Sequence, residues 1–446
     1  MTDTLTPAVR RGYALGSVAT GAFGTVPGLL LLPYLTDSLG IAAVVAGFIV
    51  FVPKAWDVVL NPIAGRISDR HDSPSGRRRP FLLRAGLALA ACFALLFAGP
   101  SDPSWLAGTW VVFWFLACAS AYAFFQVPYV SMPAEMTLDP GERTRLMTWR
   151  VAVLAFAILL SGATAPMIVD AVGDETTPAG YRVMGLYIAL ILVIGVVGVW
   201  RGTRDAPDHR VETATGSLRD QLRLVSASRA FRVLLATFVL QAVAVGAMLA
   251  GVAYAADHLL DDAAASTILF VAFVGPALLV TPAWERYSAR HGKRSGYLSS
   301  SVFLGVGAAL LVVARGDHVI VVYVAAALAG VGYAGAQVFP MAMIPDVAAA
   351  DAATSGQNRI GVFTGVWTAG ETLGLAIGPG LFALVLAAGG YVSSTGSSAV
   401  QPDSALDAIA VGFSIVPAAL IAASMLFLRR YDLGELTDPQ EDHVAR

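Results

Sequence analysis

The sequence predicts an all-α polytopic membrane protein, and three observations carry that expectation. Apolar runs of about 20 residues recur along the chain, basic residues gather on alternate sides of them, and the second half echoes the first. Of the 446 residues, 57% are hydrophobic and only 13% charged, and the mean hydropathy is +0.69. Soluble domains carry roughly 25% charged residues, so this chain has too little polar surface to cover a water-soluble core.

The apolar runs number twelve, centred near Val26, Val50, Leu89, Phe115, Phe156, Leu192, Val243, Phe273, Gly307, Leu328, Leu375 and Pro417. Each is long enough to cross a hydrocarbon layer of about 30 Å, and each tolerates its Pro and Gly as spanning helices do. Of the 29 Lys and Arg, only Arg182 and Arg315 fall in odd-numbered loops, while the even loops hold clusters such as Arg77, Arg78 and Arg79 or Arg286, Arg290, Lys293 and Arg294. The positive-inside rule then places both termini and all even loops in the cytoplasm, with the plasma membrane as the expected location. The polar N-terminus runs straight into the first span without a small-residue cleavage site, so no removable signal peptide is expected.

The longest polar loop divides the chain. Residues 1-200 form a first six-helix bundle, 201-229 a cytoplasmic linker, 230-428 a second bundle and 429-446 a cytoplasmic tail. The halves also share short patterns. Pro62 to Arg70 aligns without gaps on Pro282 to Arg290, and Gln126-Val127-Pro128 echoes Gln337 to Pro340. A duplicated six-span unit of this kind suits a carrier that rocks two bundles about a site near the midplane.

The second run holds the most informative residues. On a helix, Lys54, Asp57 and Asn61 stand at i, i+3 and i+7 and so share a face. An ionisable group at membrane depth is costly and faces a partner or a watered cavity. Two readings fit the spacing: a structural Lys54–Asp57 pair, or a carboxyl whose charge changes as its neighbours move.

These residues, with others, resemble a known family. Tyr34 to Gly40, Trp56-Asp57 with Asn61-Pro62, and Gly76 to Pro80 are similar to the glycoside-pentoside-hexuronide:cation symporters of the major facilitator superfamily, the group of melibiose permease. Val127-Pro128-Tyr129 with Glu142 to Arg145 and Trp149-Arg150, and Trp367-Thr368 with Gly389-Gly390-Tyr391, extend the likeness over nearly the whole chain. The resemblance implies the major facilitator fold, alternating access, and symport of a small sugar-like or glycoside-like solute with H+ or Na+. It also implies which positions matter. Asp57 matches one of two family aspartates that bind the cation, but Asn61 stands at the second, Leu60 at an Asn and Ala123 at a Thr. Sodium prefers several hard oxygen ligands, whereas one carboxyl suffices for a proton, so H+ is favoured over Na+.

At the solute site, Gly21 and Gln126 stand where the resemblance places two sugar-binding acids, and Val130 where it places a tryptophan. Tyr122 and Arg150 match family positions, and Thr372 replaces a lysine near the cation site, directly after the buried acid Glu371. Glu371 reads either as a partner for Lys54 or Arg150, or as a proton site of its own. With both acids lost, a carrier or exporter of an amphipathic, lipid-like solute is the alternative, and a non-transporting solute sensor on the same fold is a third reading. Asp69 and Arg70 after the second span, with Glu142, Arg143, Asp346 and Arg359, are candidates for charged gates at the even-loop face.

Other chemistry finds little support. Gly330 to Gly335 fits G-x-G-x-x-G, but inside an apolar run with no preceding strand. The six histidines lie in loops and tails, and Cys92 and Cys118 sit alone in apolar runs. No catalytic cluster, metal site, cofactor, nucleic-acid partner or obligate protein partner is therefore expected, and the lipid bilayer and a small solute are the expected contacts.

Overall fold

A computed structural model describes residues 5–71, 78–137, 139–173, 177–207, 228–262, 264–316, 318–355, 360–394 and 400–432. Among these residues, twelve helices are long and apolar enough to span a membrane: α1 (Pro7–Ser38), α2 (Ala43–Ser68), α3 (Arg79–Phe97), α4 (Ser104–Pro133), α5 (Arg145–Val172) and α6 (Pro178–Gly202), then α7 (Arg229–Leu260), α8 (Ala264–His291), α9 (Lys293–Arg315), α10 (Val319–Ala348), α11 (Val362–Ala388) and α12 (Asp403–Leu428). Every centre read from the sequence falls inside one of them. No strand occurs among the described residues.

Small residues let these helices pack. A Cβ on Gly12 would lie 2.4 Å from Gly202 of α6, and one on Gly332 would lie 2.1 Å from the Leu304 amide nitrogen of α9. Close backbone approach replaces the hydrophobic drive that lipid cannot supply. The Gly370, Gly374 and Gly378 stripe of α11 does the same against α7, meeting Leu235, Ala242 and Ala247. One buried polar cluster of the second half is paired internally: Gln241 donates to Ser301 at 2.9 Å and Ser424 at 3.0 Å while accepting from Tyr297 at 3.0 Å.

The α2 sequence fixes its own orientation. Val52, Trp56, Val59, Ile63 and Ile67 are 42–54% exposed and recur every three or four residues, which marks the face toward hydrocarbon. Asp57, Leu60 and Ala64 lie on the opposite side at 9% exposure or less. The predicted polar face thus points into the protein.

Contact between the halves is concentrated at the odd-loop end. There α1 meets α7, α2 meets α11 and α5 meets α8. A Cβ on Gly47 would stand 2.8 Å from the Ala383 Cβ, one on Gly28 3.0 Å from Leu249, and one on Gly162 2.2 Å from the Phe270 ring. Thr267 of α8 donates to the Ala163 carbonyl at 3.1 Å. Nearer the middle, Gly24 is exposed on α1, otherwise the most buried span, and a Cβ there would meet nothing within 4 Å. Gly24 therefore faces open space, below the odd-loop end where the halves meet.

Candidate functional site

Around that space the side chains come from both halves. Asp57 is 3% exposed and its Oδ1 has no hydrogen-bond partner. Lys54, one turn earlier and half-buried, does not form the ion pair that was one of the two readings of the spacing. Its ammonium sits over the Phe23 ring of α1, 5.0 Å from the centroid. A cation over an aromatic face is held by the ring's electrostatics, so i, i+3 spacing placed the two on one face, near enough to act on each other but not joined in an ion pair. Asn61 is half-buried on the same helix.

The α4 residues Tyr122 and Gln126 are half-buried beside them. Gln126 Oε1 accepts from Thr20 Oγ1 of α1 at 2.8 Å, and Tyr122 packs on Phe23 with ring centroids 4.6 Å apart. Asp57, Arg150 and Glu371 all lie close enough to the Tyr122 hydroxyl to act on it electrostatically. Arg150 of α5 places its guanidinium 5.6 Å from the Tyr129 ring centroid, and its buried Nε is unpartnered. From the other half, Glu371 is half-buried beside Gln337 and Tyr333 of α10, with Gln337 Nε2 donating to Tyr333 Oη at 3.0 Å. Thr372 Oγ1 donates to the Thr368 carbonyl at 3.0 Å. No ion pair joins Glu371 to Lys54 or Arg150 among the described residues, so its expected structural pairing is not made here.

Gly21 stands apart from this group. It is buried, and a Cβ there would meet Ala157 of α5 at 2.9 Å, so it serves helix packing and lines no site. Leu60 and Ala123, the positions the resemblance aligns with two sodium-ligating side chains, pack with Ala64 into an apolar cluster between α2 and α4. Hydrocarbon fills the place where oxygen ligands would be needed.

The charged-gate candidates pair within halves. Glu142 meets Arg10 at 3.2 Å and Arg145 at 2.9 Å, and Asp346 meets Lys293 at 2.6 Å. Arg78 with Glu135, at 2.8 Å, is a further pair of the first half. Asp69 and Arg70 continue the same helix directly after the α2 span, to Arg70; their side chains, that of Arg143, and Arg359 lie outside the described residues.

The sequence reading missed a polar cluster at the sealed end. Tyr391 Oη donates to Asp37 Oδ1 at 2.5 Å, Thr36 Oγ1 donates to Asp37 Oδ2 at 3.0 Å, and Tyr254 Oη lies 2.6 Å from Thr36 Oγ1. The available signal was an acid inside the apolar end of α1, which stood in the motif Tyr34 to Gly40 without a role.

With the geometry in place, the comparisons identify the family. A model described as MFS/sugar transport protein matches residues 12–435. The chain belongs to this family, and within it to the glycoside-pentoside-hexuronide:cation symporters. The glucuronide carrier protein homolog of Escherichia coli (strain K12) is 24% identical over 430 residues, covering 95% of this chain and 92% of that protein. The isoprimeverose transporter of Lactiplantibacillus pentosus is 25% identical over 452 residues, covering 98% and 91%. The sodium-dependent lysophosphatidylcholine symporter 1-A of Danio rerio is 22% identical over 462 residues, covering 95% and 85%. Among solved structures, a D-xylose-proton symporter superposes with a TM-score of 0.71 at 13% identity, covering 95% of this chain and 97% of that one. The fold is therefore that of the major facilitator superfamily, and the chain is a multi-pass membrane transporter with no place among enzymes.

Proposed function

We propose that this chain is a proton-coupled symporter of a small sugar-like or glycoside-like solute, working by alternating access. The carrying observation is the Asp57 carboxyl: buried at 3% exposure, unpartnered at Oδ1, and without an ion pair to the Lys54 ammonium, which sits over Phe23. A carboxyl so placed gains most by taking a proton when the space is reached from one side and losing it from the other. The apolar packing of Leu60, Ala64 and Ala123 supports H+ over Na+ as the coupling ion. Gln126, Tyr122 and Arg150 offer an amide N–H2, a hydroxyl and a guanidinium, a donor-rich set suited to solute hydroxyls.

The distribution of Lys and Arg puts the termini and even loops in the cytoplasm. On that orientation the sealed end faces outward, and the present conformation opens inward. Gln126 and its neighbours would then release solute to the cytoplasm.

A second reading, carriage of an amphipathic solute, is supported by the likeness to the lysophosphatidylcholine symporter and by Val130, 40% exposed. Purified protein in liposomes, given labelled sugars, glycosides and lysophospholipids under separate H+ and Na+ gradients, discriminates the readings. Sugar or glycoside accumulation driven by the H+ gradient alone is expected. Lysophospholipid uptake driven only by Na+ would overturn both substrate and ion.

A further inference from the structure

The first helix of each half ends in a single π-helical turn, Tyr34–Ser38 on α1 and Ala256–Leu260 on α7. Such turns reposition side chains and often mark functional places. Here they bring Thr36 and Asp37 of one half against His258 and, from the preceding turn, Tyr254 of the other. Tyr391, just after α11, lies between them: its Oη bonds Asp37 Oδ1 at 2.5 Å and His258 Nε2 at 2.9 Å. Backbone bonds fasten the same corner, with the Ser394 amide donating to the Thr36 carbonyl and Ser393 Oγ to the Ile41 carbonyl, both at 3.0 Å.

Asp37 is 7% exposed, and among the described residues no Lys or Arg pairs with it. The titratable groups facing it are Tyr391, then His258 and Asp257 of α7, with Tyr254 behind Thr36. Burial and the adjacent Asp37 carboxyl push the Tyr391 phenol well above its usual range, so the hydroxyl keeps its hydrogen.

The same atoms bond with either polarity. With Asp37 ionised, Tyr391 donates to it. With Asp37 protonated, the acid donates to Tyr391 Oη, which donates to His258 Nε2 of a neutral, Nδ1-protonated ring. The second arrangement gives Asp37, Tyr391 and His258 Nε2 each a partner and leaves Asp37 uncharged, whereas the first buries a carboxylate with no cation paired to it.

We propose that Asp37 is a second proton site, distinct from Asp57, and that sealing the odd-loop end captures one proton on its carboxyl. The proton comes from water on that face while the end is open, and returns to it on opening; no other bond forms or breaks. This rests on the transporter reading above, but its test needs no solute. Spin labels at Trp105→Cys and Ile320→Cys, exposed residues at the odd-loop ends of α4 and α10, report the opening in protein whose Cys92 and Cys118 are replaced.

In this background the label separation should shorten as pH falls from about 8 to about 5, across the range in which perturbed carboxyls titrate. Asp37→Asn should hold the short distance at both pH values, and it should also abolish whatever pH-dependent shortening remains in Asp57→Asn. Tyr391→Phe should lower the closed-to-open ratio at acid pH roughly fivefold to tenfold, the effect of one hydrogen bond. A full pH response in Asp37→Asn, its loss in Asp57→Asn alone, or closure in Tyr391→Phe that matches wild type at every pH would each overturn the proposal. Because flux is not measured, a failure of solute transport leaves these outcomes readable.

Discussion

At the odd-loop end the halves meet through near-backbone contacts at Gly28, Gly47 and Gly162 and through the buried Asp37–Tyr391 and Thr36–Tyr254 bonds. At the even-loop end, the pairs Arg10–Glu142, Arg78–Glu135 and Lys293–Asp346 each stay inside one half. The first set joins bodies that must separate, and the second stiffens bodies that must stay whole. Substitutions in the first set should change conformation, and substitutions in the second should change stability.

The largest expected effect is on a glycine within a half. Gly332→Leu forces a side chain against the α9 backbone at 2.1 Å, and overpacking of this kind costs about 3 kcal/mol or more. Thermal unfolding should show a sharp loss of stability or no folded protein. Gly162→Val comes next and tests the other side of the comparison. Its clash is with Phe270 across the halves, so it is relieved when they part. A cost of about 1–3 kcal/mol should shift the open-to-closed ratio roughly tenfold to a hundredfold, seen as labelling of an introduced cavity cysteine from the odd-loop face, with unfolding temperature nearly unchanged. If Gly162→Val lowers stability as Gly332→Leu does, the distinction between the two kinds of contact fails.

Smaller effects sharpen the same division. Tyr254→Phe removes one cross-half hydroxyl bond to Thr36, and should weaken closure about fivefold by the same labelling assay. Lys293→Ala removes a pair whose members are 43% and 36% exposed. An exposed pair contributes about 0–1 kcal/mol, so unfolding should move by at most that amount and the labelling pattern should not change.

Much of the fold was legible because its signals are local. Twelve apolar runs give twelve helices, and the three-to-four-residue rhythm of Val52, Trp56, Val59, Ile63 and Ile67 decides which way Asp57 points. The site was legible in part. Asp57, Tyr122, Gln126, Arg150 and Glu371 do gather near one space, but Lys54 turns to Phe23, a contact that spacing on α2 alone cannot show. Gly21 aligns with an acid of the family, yet its place is a packing contact with α5 that only the folded helices reveal. Asp37 and Tyr391 lie 354 residues apart, and only the folded arrangement of the two halves brings them together.

The account turns on Asp57, so the most direct test is solute accumulation by Asp57→Asn in liposomes, measured alongside exchange of solute with no gradient. The account predicts that accumulation driven by a proton gradient is abolished while exchange persists, because the empty and loaded bundles still tilt when the acid cannot ionise. Accumulation equal to that of the unaltered protein would contradict it.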